Sequence, residues 1–119
     1  MINLYGIPNC DTIKKARQWL NSQGITYEFH DYKKEGLDKK LLQQWVNCLG
    51  WEALINRRGT TWRKLDESIK AHIDEASAIQ IMLEAPSIIK RPLLDDGKSI
   101  YLGFKADDYA KIFVEPAAK

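Results

Sequence analysis

The sequence predicts one α/β domain built on a mixed β-sheet with flanking helices and interrupted by an all-helical insertion. A strand–helix–strand order over residues 1–32 indicates a right-handed crossover between parallel strands. A strand–strand–helix order over residues 86–119 adds a hairpin and a closing helix. Between them, about 37–85 shows helical periodicity alone. A chain of 119 residues has the length of a single domain with its own core.

The first strand–helix–strand segment carries clear boundary signals. Ile2–Tyr5 is an apolar strand, and a helix follows over about 12–23 with Gly24 as its stop. Thr26–Tyr32 alternates in polarity as a second strand does, and Lys33–Gly36 is predicted as a charged turn. The residues that recur on one face of the helix, and should face the core, are Ile13, Ala16, Trp19 and Leu20.

The insertion is predicted to contain helices joined by short polar segments. Asp38 caps a helix that reaches Leu49, and 51–55 forms a short helical turn. Asn56–Thr61 follows as a polar loop. A further helix runs over 77–83 and ends before a proline, because the residue preceding proline disfavours helical backbone.

The last third of the chain is predicted to be a hairpin and a helix. A strand over 90–94 leads to the turn Asp95–Lys98, and Ser99–Leu102 returns as its partner strand. The closing helix is Asp107–Phe113. Its inward-facing residues are Tyr109, Ile112 and Phe113.

Composition excludes several classes of protein. The net charge is +2, from 18 basic and 16 acidic residues, which lacks the basic excess of a nucleic-acid-binding protein. No apolar run is long enough to span a bilayer, and the first residues lack the pattern of a signal peptide. The two cysteines suit a reducing compartment. We therefore expect a cytoplasmic protein with no membrane or nucleic-acid partner.

Cys10 is the leading candidate for chemistry. It follows a strand and a turn and stands where the first helix begins. Backbone N–H groups at a helix N-terminus favour an anion, and this setting commonly lowers the pKa of a cysteine from about 8.5 to roughly 3.5–7.5. The position therefore predicts a nucleophilic thiolate. The alternative is a small buried residue in a turn, and the neighbouring carboxylate of Asp11 disfavours the thiolate.

The other thiol and the histidines carry weaker signals. Cys48 shares a helical stripe with Leu41 and Trp45, which predicts a core thiol without a redox role. Neither His30 nor His72 lies at zinc-site spacing from a cysteine, so no metal site is predicted.

Four segments in order along the chain carry a resemblance to a known family: Tyr5–Thr12, Asn56–Leu65, Lys90–Leu93 and Leu102–Phe104. With these segments the chain resembles the arsenate reductase/Spx family and, within it, the YffB-like branch. The resemblance implies a thioredoxin-like fold and spans about 100 residues. It also implies that Cys10 is the reactive thiol.

The same resemblance implies a partner for the thiol. Arg91 would precede a cis proline, Pro92, that faces Cys10. A guanidinium can hold a carboxylate or oxyanion through two parallel hydrogen bonds and favour a nearby thiolate. On the residues alone, Arg91 could be a solvated strand-end charge, and Pro92 would be expected as an ordinary trans edge residue, since only about 5% of X–Pro bonds are cis.

The chain also departs from the arsenate reductase pattern. Three arginines and a histidine surround the cysteine in that family, and only Arg91 matches directly. Gly6 takes the place of the histidine, Asn56 that of the first arginine (with Arg57 next to it), and Gly103 that of the third. Charged hydrogen bonds contribute about 1.5–3 kcal/mol each, so arsenate should bind less well here.

A further departure concerns the Spx branch, which typically uses a Cys-x-x-Cys switch. Ile13 takes the place of the second cysteine, so no disulfide can form within that motif. A regulator that binds RNA polymerase under the control of such a disulfide is therefore disfavoured.

We expect a monothiol reductase that uses glutathione as its reducing co-substrate and holds no tightly bound cofactor. Cys10 would attack a small-molecule or protein disulfide or an oxyanion, and Arg91 and Pro92 would position the partner. The alternatives are arsenate reduction linked to glutathione and glutaredoxin, or an Spx-like RNA polymerase-binding regulator. Arg57 is a further candidate for substrate binding. The weaker candidates, each of which is at least as well explained as a turn or surface residue, are Asn9, Thr12 and Lys14.

Overall fold

The computed structural model describes residues 2–113 and divides the chain into two compact units. One unit comprises the residues up to His30 and those from Arg91 onward, and the other is Asp31–Lys90. The sequence places the corresponding junctions at 32 and 86. Within the described range, no helix is both long and apolar enough to cross a membrane.

The strands form one sheet in the order β2-β1-β3-β4, where β1 is Asn3–Gly6, β2 is Glu28–Asp31, β3 is Leu93–Asp95 and β4 is Ile100–Leu102. Strands β1 and β3 pair antiparallel, as do β3 and β4, and the sheet is mixed. The predicted mixed α/β fold is confirmed. The helices are α1 (Asp11–Ser22), α2 (Tyr32–Glu35), α3 (Lys39–Leu49), α4 (Trp51–Leu54), α5 (Thr60–Arg63), α6 (Glu67–Ala71), α7 (Glu75–Glu84) and α8 (Ala106–Phe113).

The register of the sheet places three loops at the same end of the strands. Tyr5 pairs with Leu93, and Leu93 pairs with Leu102. The end of β1, the start of β3 and the end of β4 therefore lie side by side. The loop with Cys10, the segment that precedes β3 and the loop that begins at Gly103 are therefore all at this end of the strands.

One face of the sheet packs against α1 and α8. Leu4 and Leu94 of the sheet, Ala16 and Leu20 of α1 and Tyr109 of α8 form a buried cluster. Trp19, Ile112 and Phe113 pack around it, so the predicted inward faces of both helices are confirmed. The remaining residues packed against the cluster are Ile2, Ile25, Tyr27, Phe29, Tyr101 and Phe104.

In the unit Asp31–Lys90, several helices differ from the predicted ones. The expected turn at 33–36 is helix α2, because the Asp31 carboxylate accepts hydrogen bonds from the N–H groups of Lys33 and Lys34. The expected loop at 56–61 already contains the start of α5, and α6 was not predicted. Helix α7 begins at Glu75 because Asp74 is its N-cap. Ser77, the predicted first residue, is the third residue of the helix and completes the capping box with Asp74.

Both strand predictions at the junctions are too long. Strand β2 covers Glu28–Asp31 instead of 26–32, and β3 begins at Leu93 instead of 90. Lys90 belongs to the helical unit, where its N–H donates to the carbonyl of Leu54. The strand itself starts at Leu93: Pro92 accepts a hydrogen bond from Gly103 but, without an N–H, cannot donate one in return.

The prediction that Cys48 is a core thiol is wrong. Helix α3 buries Leu42, Trp45 and Val46, and Cys48 is exposed. The buried stripe runs one residue away from the predicted one, which began at Leu41. Because consecutive residues of a helix are about 100° apart, this shift turns Cys48 out of the core.

Candidate functional site

The backbone places Cys10 at the start of α1. Cys10 is the N-cap residue with extended backbone angles, φ −86° and ψ 131°, and its carbonyl accepts the first helical hydrogen bond from the N–H of Lys14 at 3.0 Å. Its own N–H donates to the carbonyl of Ile7 at 3.2 Å and closes the preceding turn. An N-cap side chain points at the unpaired N–H groups of the first helical turn. The side chain of Cys10 lies at this position without making a capping hydrogen bond.

Those N–H groups and one arginine act on the sulfur electrostatically. The backbone N–H groups of Thr12 and Ile13 and the Arg91 side chain all favour the thiolate of Cys10, although the sulfur makes no side-chain capping hydrogen bond with the first turn of α1. The peptide bond between Arg91 and Pro92 is cis, which confirms the implied isomer. The carbonyl of Pro92 accepts a hydrogen bond from the N–H of Gly103 at 2.9 Å, which holds the Arg91–Pro92 segment next to the residue that follows β4.

This environment shifts the pKa of Cys10. Partial burial is the largest single influence and raises the pKa of the thiol, because desolvation disfavours the thiolate. The backbone N–H groups of Ile13 and Thr12 and the side chain of Arg91, with its positive charge, together outweigh burial. The net result is a pKa below the ordinary value for cysteine. The thiolate is therefore more populated near neutral pH than in a free cysteine.

A close approach between Gly6 and Ile13 shapes the same corner of the structure. A Cβ atom on Gly6 would overlap Cδ1 of Ile13 and would lie 3.8 Å from Cβ of Arg91. Ile13 is fully buried. The sequence shows that Gly6 and Ile13 both depart from the family patterns. It gives no sign that the two residues are in contact, since six residues and a turn separate them.

The weaker candidates receive limited support. Asn9 is exposed in the turn, and Lys14 is exposed on α1. Within residues 2–113, neither side chain makes a hydrogen bond or ion pair. The backbone N–H of Thr12 helps to lower the pKa of Cys10, and no role emerges for its hydroxyl in the described structure.

Arg57 lies in the unit Asp31–Lys90, and its contacts there are aromatic and acidic. Its guanidinium carbon is 5.3 Å from the ring centroid of Trp62, and Nη2 is 3.9 Å from Oε2 of Glu52. About half of its side chain is exposed. The loop before it is fixed by Asn56, whose Oδ1 accepts from the N–H of Arg58 at 3.2 Å. A role for Arg57 in substrate binding stays a prediction.

The arrangement can act as a nucleophile. It combines a half-buried sulfur of lowered pKa with one guanidinium that can orient an anion. Within residues 2–113, no three His, Cys, Asp or Glu side chains come together as metal ligands would. An ionised thiol in such a setting supports thiolate chemistry in general.

Comparison with known proteins relates this site to a family. The sequence profile of the ArsC family matches residues 5–112. The solved structure of a YffB protein is 52% identical, with a TM-score of 0.89 over 93% of this chain and 97% of that one. An arsenate reductase (ArsC) related protein from Brucella melitensis is 49% identical, with a TM-score of 0.78 over 96% and 95% of the two chains.

Curated sequences give the same relationship. An uncharacterized protein of Haemophilus influenzae is 46% identical over 114 residues, which is 95% of this chain and 99% of that one. The global transcriptional regulator Spx of Streptococcus agalactiae is 30% identical over 110 residues, which is 91% of this chain and 80% of the regulator. With the profile match covering nearly all of the described residues, the chain belongs to the ArsC family.

Proposed function

We propose that this ArsC-family protein is a monothiol oxidoreductase that uses glutathione as its reducing co-substrate. The observation that carries the proposal is the convergence of the Arg91 side chain and the N–H groups of Thr12 and Ile13 on the sulfur of Cys10. A thiolate stabilised in this way is available as a nucleophile without a neighbouring base.

The proposed cycle has two exchange steps. The Cys10 thiolate attacks the glutathione sulfur of a mixed disulfide, the substrate sulfur leaves as a thiolate and takes a proton, and Cys10 becomes glutathionylated. A second glutathione, as its thiolate, attacks the glutathione sulfur of this adduct and releases glutathione disulfide and the Cys10 thiolate. The balance is one mixed disulfide and one glutathione consumed, and one substrate thiol and one glutathione disulfide formed.

A single thiol fits this cycle. The residue three positions after Cys10 is Ile13, so the resolving thiol has to come from solution. Arg91 would orient a carboxylate of glutathione, and the segment at Pro92 would place backbone groups alongside it. Arg57 is proposed as a further contact for anionic groups. Asn9, Thr12 and Lys14 are proposed as supporting groups at the rim of the site.

The test is turnover of a glutathionylated peptide with glutathione, followed through the glutathione disulfide produced. We expect turnover in the wild type, loss of turnover in Cys10→Ser, and retention in the matched control Cys48→Ser, which removes the exposed thiol of α3. Intact mass of the wild type treated with glutathione disulfide should show one glutathionyl group on Cys10. Full activity of Cys10→Ser would contradict the proposal.

Arsenate is the second candidate substrate, and the relationship to the ArsC related protein of Brucella melitensis favours testing it. Cys10 would attack arsenic and displace water, and two glutathione thiols would supply the two electrons that reduce arsenate to arsenite. Only Arg91 of the expected three arginines stands in its place. We therefore expect arsenate turnover, with glutathione and glutaredoxin present, to be far slower than mixed-disulfide reduction.

The relationship to Spx favours a third candidate, a regulator that contacts RNA polymerase. In that role the chain would bind without thiol chemistry. Pull-down with purified RNA polymerase tests it, and binding that persists in Cys10→Ser would support the regulator over the reductase.

A further inference from the structure

A groove lies along the outer edge of the sheet. It has a volume of about 450 Å³ and is lined by the three residues of β4, by Gly103 and by four residues of α8. Strand β4 is the last strand of the order β2-β1-β3-β4. Within residues 2–113, no strand pairs with its outer edge. An unpaired strand edge of this kind is a template for pairing with another chain.

The charges in the groove have a particular arrangement. Asp108 and Lys111 of α8 line it, three positions apart, and both are exposed. Neither side chain forms an ion pair or hydrogen bond with another described residue. Around them the surface is apolar, with Ile100, Leu102 and Ile112 half-buried. The groove thus carries one acidic and one basic side chain at different positions along α8, which runs beside the unpaired edge of β4.

Such a pattern is complementary to itself. If two copies meet about a two-fold axis through Tyr101, β4 pairs antiparallel with β4 of the second copy, and Ile100 stands opposite Leu102. The two α8 helices then run antiparallel on the same face of the joined sheets. Asp108 of each copy lies towards Lys111 of the other, and no like charges meet.

We propose that the groove between β4 and α8 is an interface between two copies of this chain. A strand of three residues and two ion pairs make a small contact, so the dimer is of modest affinity and dissociates on dilution. The proposal does not depend on the thiol chemistry, because Cys10 takes no part in it.

The first experiment is sedimentation equilibrium of the full chain over a concentration range of about 100-fold. We expect the average mass to rise from that of one chain towards that of two. A mass that stays at one chain throughout the range overturns the proposal and leaves the groove to some other occupant, such as a peptide.

A charge exchange tests the assigned surface. Asp108→Lys places two lysines together across the axis and should raise the dimer Kd about tenfold, and Lys111→Asp should do the same with two acids. The double variant D108K/K111D restores opposite charges and should return the Kd to within about threefold of the wild type. The matched control is Asp107→Lys, which makes the same charge change in the same helical turn outside the groove and should leave the Kd unchanged. Single variants that dimerise normally, or a double variant that fails to recover, overturn the assignment.

Discussion

Ile13 occupies the space that a side chain at position 6 would need, because its Cδ1 lies against the Cα of Gly6. These are the two positions near Cys10 at which the chain differs from the histidine of the arsenate reductases and from the second cysteine of the Spx switch. The structure shows that the differences are linked by packing. Ile13 is also a residue whose backbone N–H lowers the pKa of Cys10. Its buried side chain therefore anchors an amide that stabilises the thiolate.

The contact predicts a specific coupling between the two positions. Gly6→Ala should lower the free energy of unfolding by about 1–3 kcal/mol, since overpacking a rigid core forces neighbours apart. Ile13→Val alone should cost about 0.5–1.5 kcal/mol. In the double variant the added methyl group finds more room, so its cost should be less than the sum of the single effects. Urea denaturation of the four proteins measures this cycle.

Gly24→Ala provides a comparison for the glycine substitution. Gly24 has a φ of 69° and open space around it, so the cost there comes from backbone conformation alone and should not change on Ile13→Val. Additive costs for Gly6→Ala and Ile13→Val would show that the two side chains do not compete for the same space.

The contacts to Cys10 predict how its reactivity responds to pH. Arg91→Gln removes the guanidinium charge, so the pKa of Cys10 should rise towards that of an ordinary cysteine, because burial then opposes only the N–H groups of Ile13 and Thr12. The alkylation rate with iodoacetamide at pH 7 should fall severalfold, and its midpoint should move to higher pH. A pH series read by intact mass measures both quantities.

The matched control for this series is Lys15→Gln. It removes one positive charge from an exposed position of the same helix, α1, away from the sulfur, and should leave the midpoint in place. If Arg91→Gln alkylates with the wild-type pH profile, the arginine does not stabilise the thiolate and the proposed orientation of the substrate loses its basis.

The part of the site that is local in sequence could be predicted. A strand, a turn and a helix start within twelve residues determine that Cys10 is an N-cap, and this requires no tertiary contact. Arg91 and the cis bond before Pro92 could be expected only from the resemblance. Nothing in the local sequence brings position 91 to position 10, which becomes adjacent through pairing of β1 with β3.

The features that could not be predicted depend on packing or on a single side chain. The contact of Gly6 with Ile13 requires knowledge of where α1 lies against β1. Cys48 is exposed because the buried stripe of α3 lies one residue away from the predicted stripe. The apolar pattern of α3 is compatible with either position of the stripe. Helix α2 exists because Asp31 caps it, and four residues with two lysines carry no periodic signal of their own.

The capping box of α7 predicts a pH-dependent contribution to stability. Hydrogen bonds from the backbone N–H and the hydroxyl of Ser77 lower the pKa of the Asp74 carboxyl. A group with a lowered folded-state pKa stabilises the protein above its unfolded pKa and loses that contribution as pH falls through the folded one. Asp74→Ala should therefore be less stable than the wild type at pH 7, and the difference should shrink below about pH 4.

Urea denaturation between neutral and acidic pH measures this contribution. Asp66→Ala is the matched control, because Asp66 is the N-cap of α6 without a side-chain capping hydrogen bond and should show no such difference. An Asp74→Ala deficit that is the same at every pH would assign the effect to helix propensity instead of the carboxylate.

Tyr109 predicts the opposite dependence at alkaline pH. Its ring is buried among Trp19, Phe104 and Phe113, and its hydroxyl has no hydrogen-bond partner within the described residues. Burial raises the pKa of Tyr109 well above its ordinary value. A raised folded-state pKa leaves stability intact below the unfolded pKa, about 10, and stability is lost as pH rises towards the folded one.

Tyr109→Phe removes both the unpaired hydroxyl and the titration. The free energy of unfolding near pH 7 should rise by about 1 kcal/mol, because a buried donor without a partner is destabilising. Above about pH 10 the variant should lose stability less steeply than the wild type. Tyr27→Phe gives the contrast: the Tyr27 hydroxyl accepts a hydrogen bond from Arg17 Nε at 3.1 Å, so that variant should be less stable than the wild type. A loss of stability in Tyr109→Phe near pH 7 would mean that the hydroxyl is hydrogen-bonded in solution.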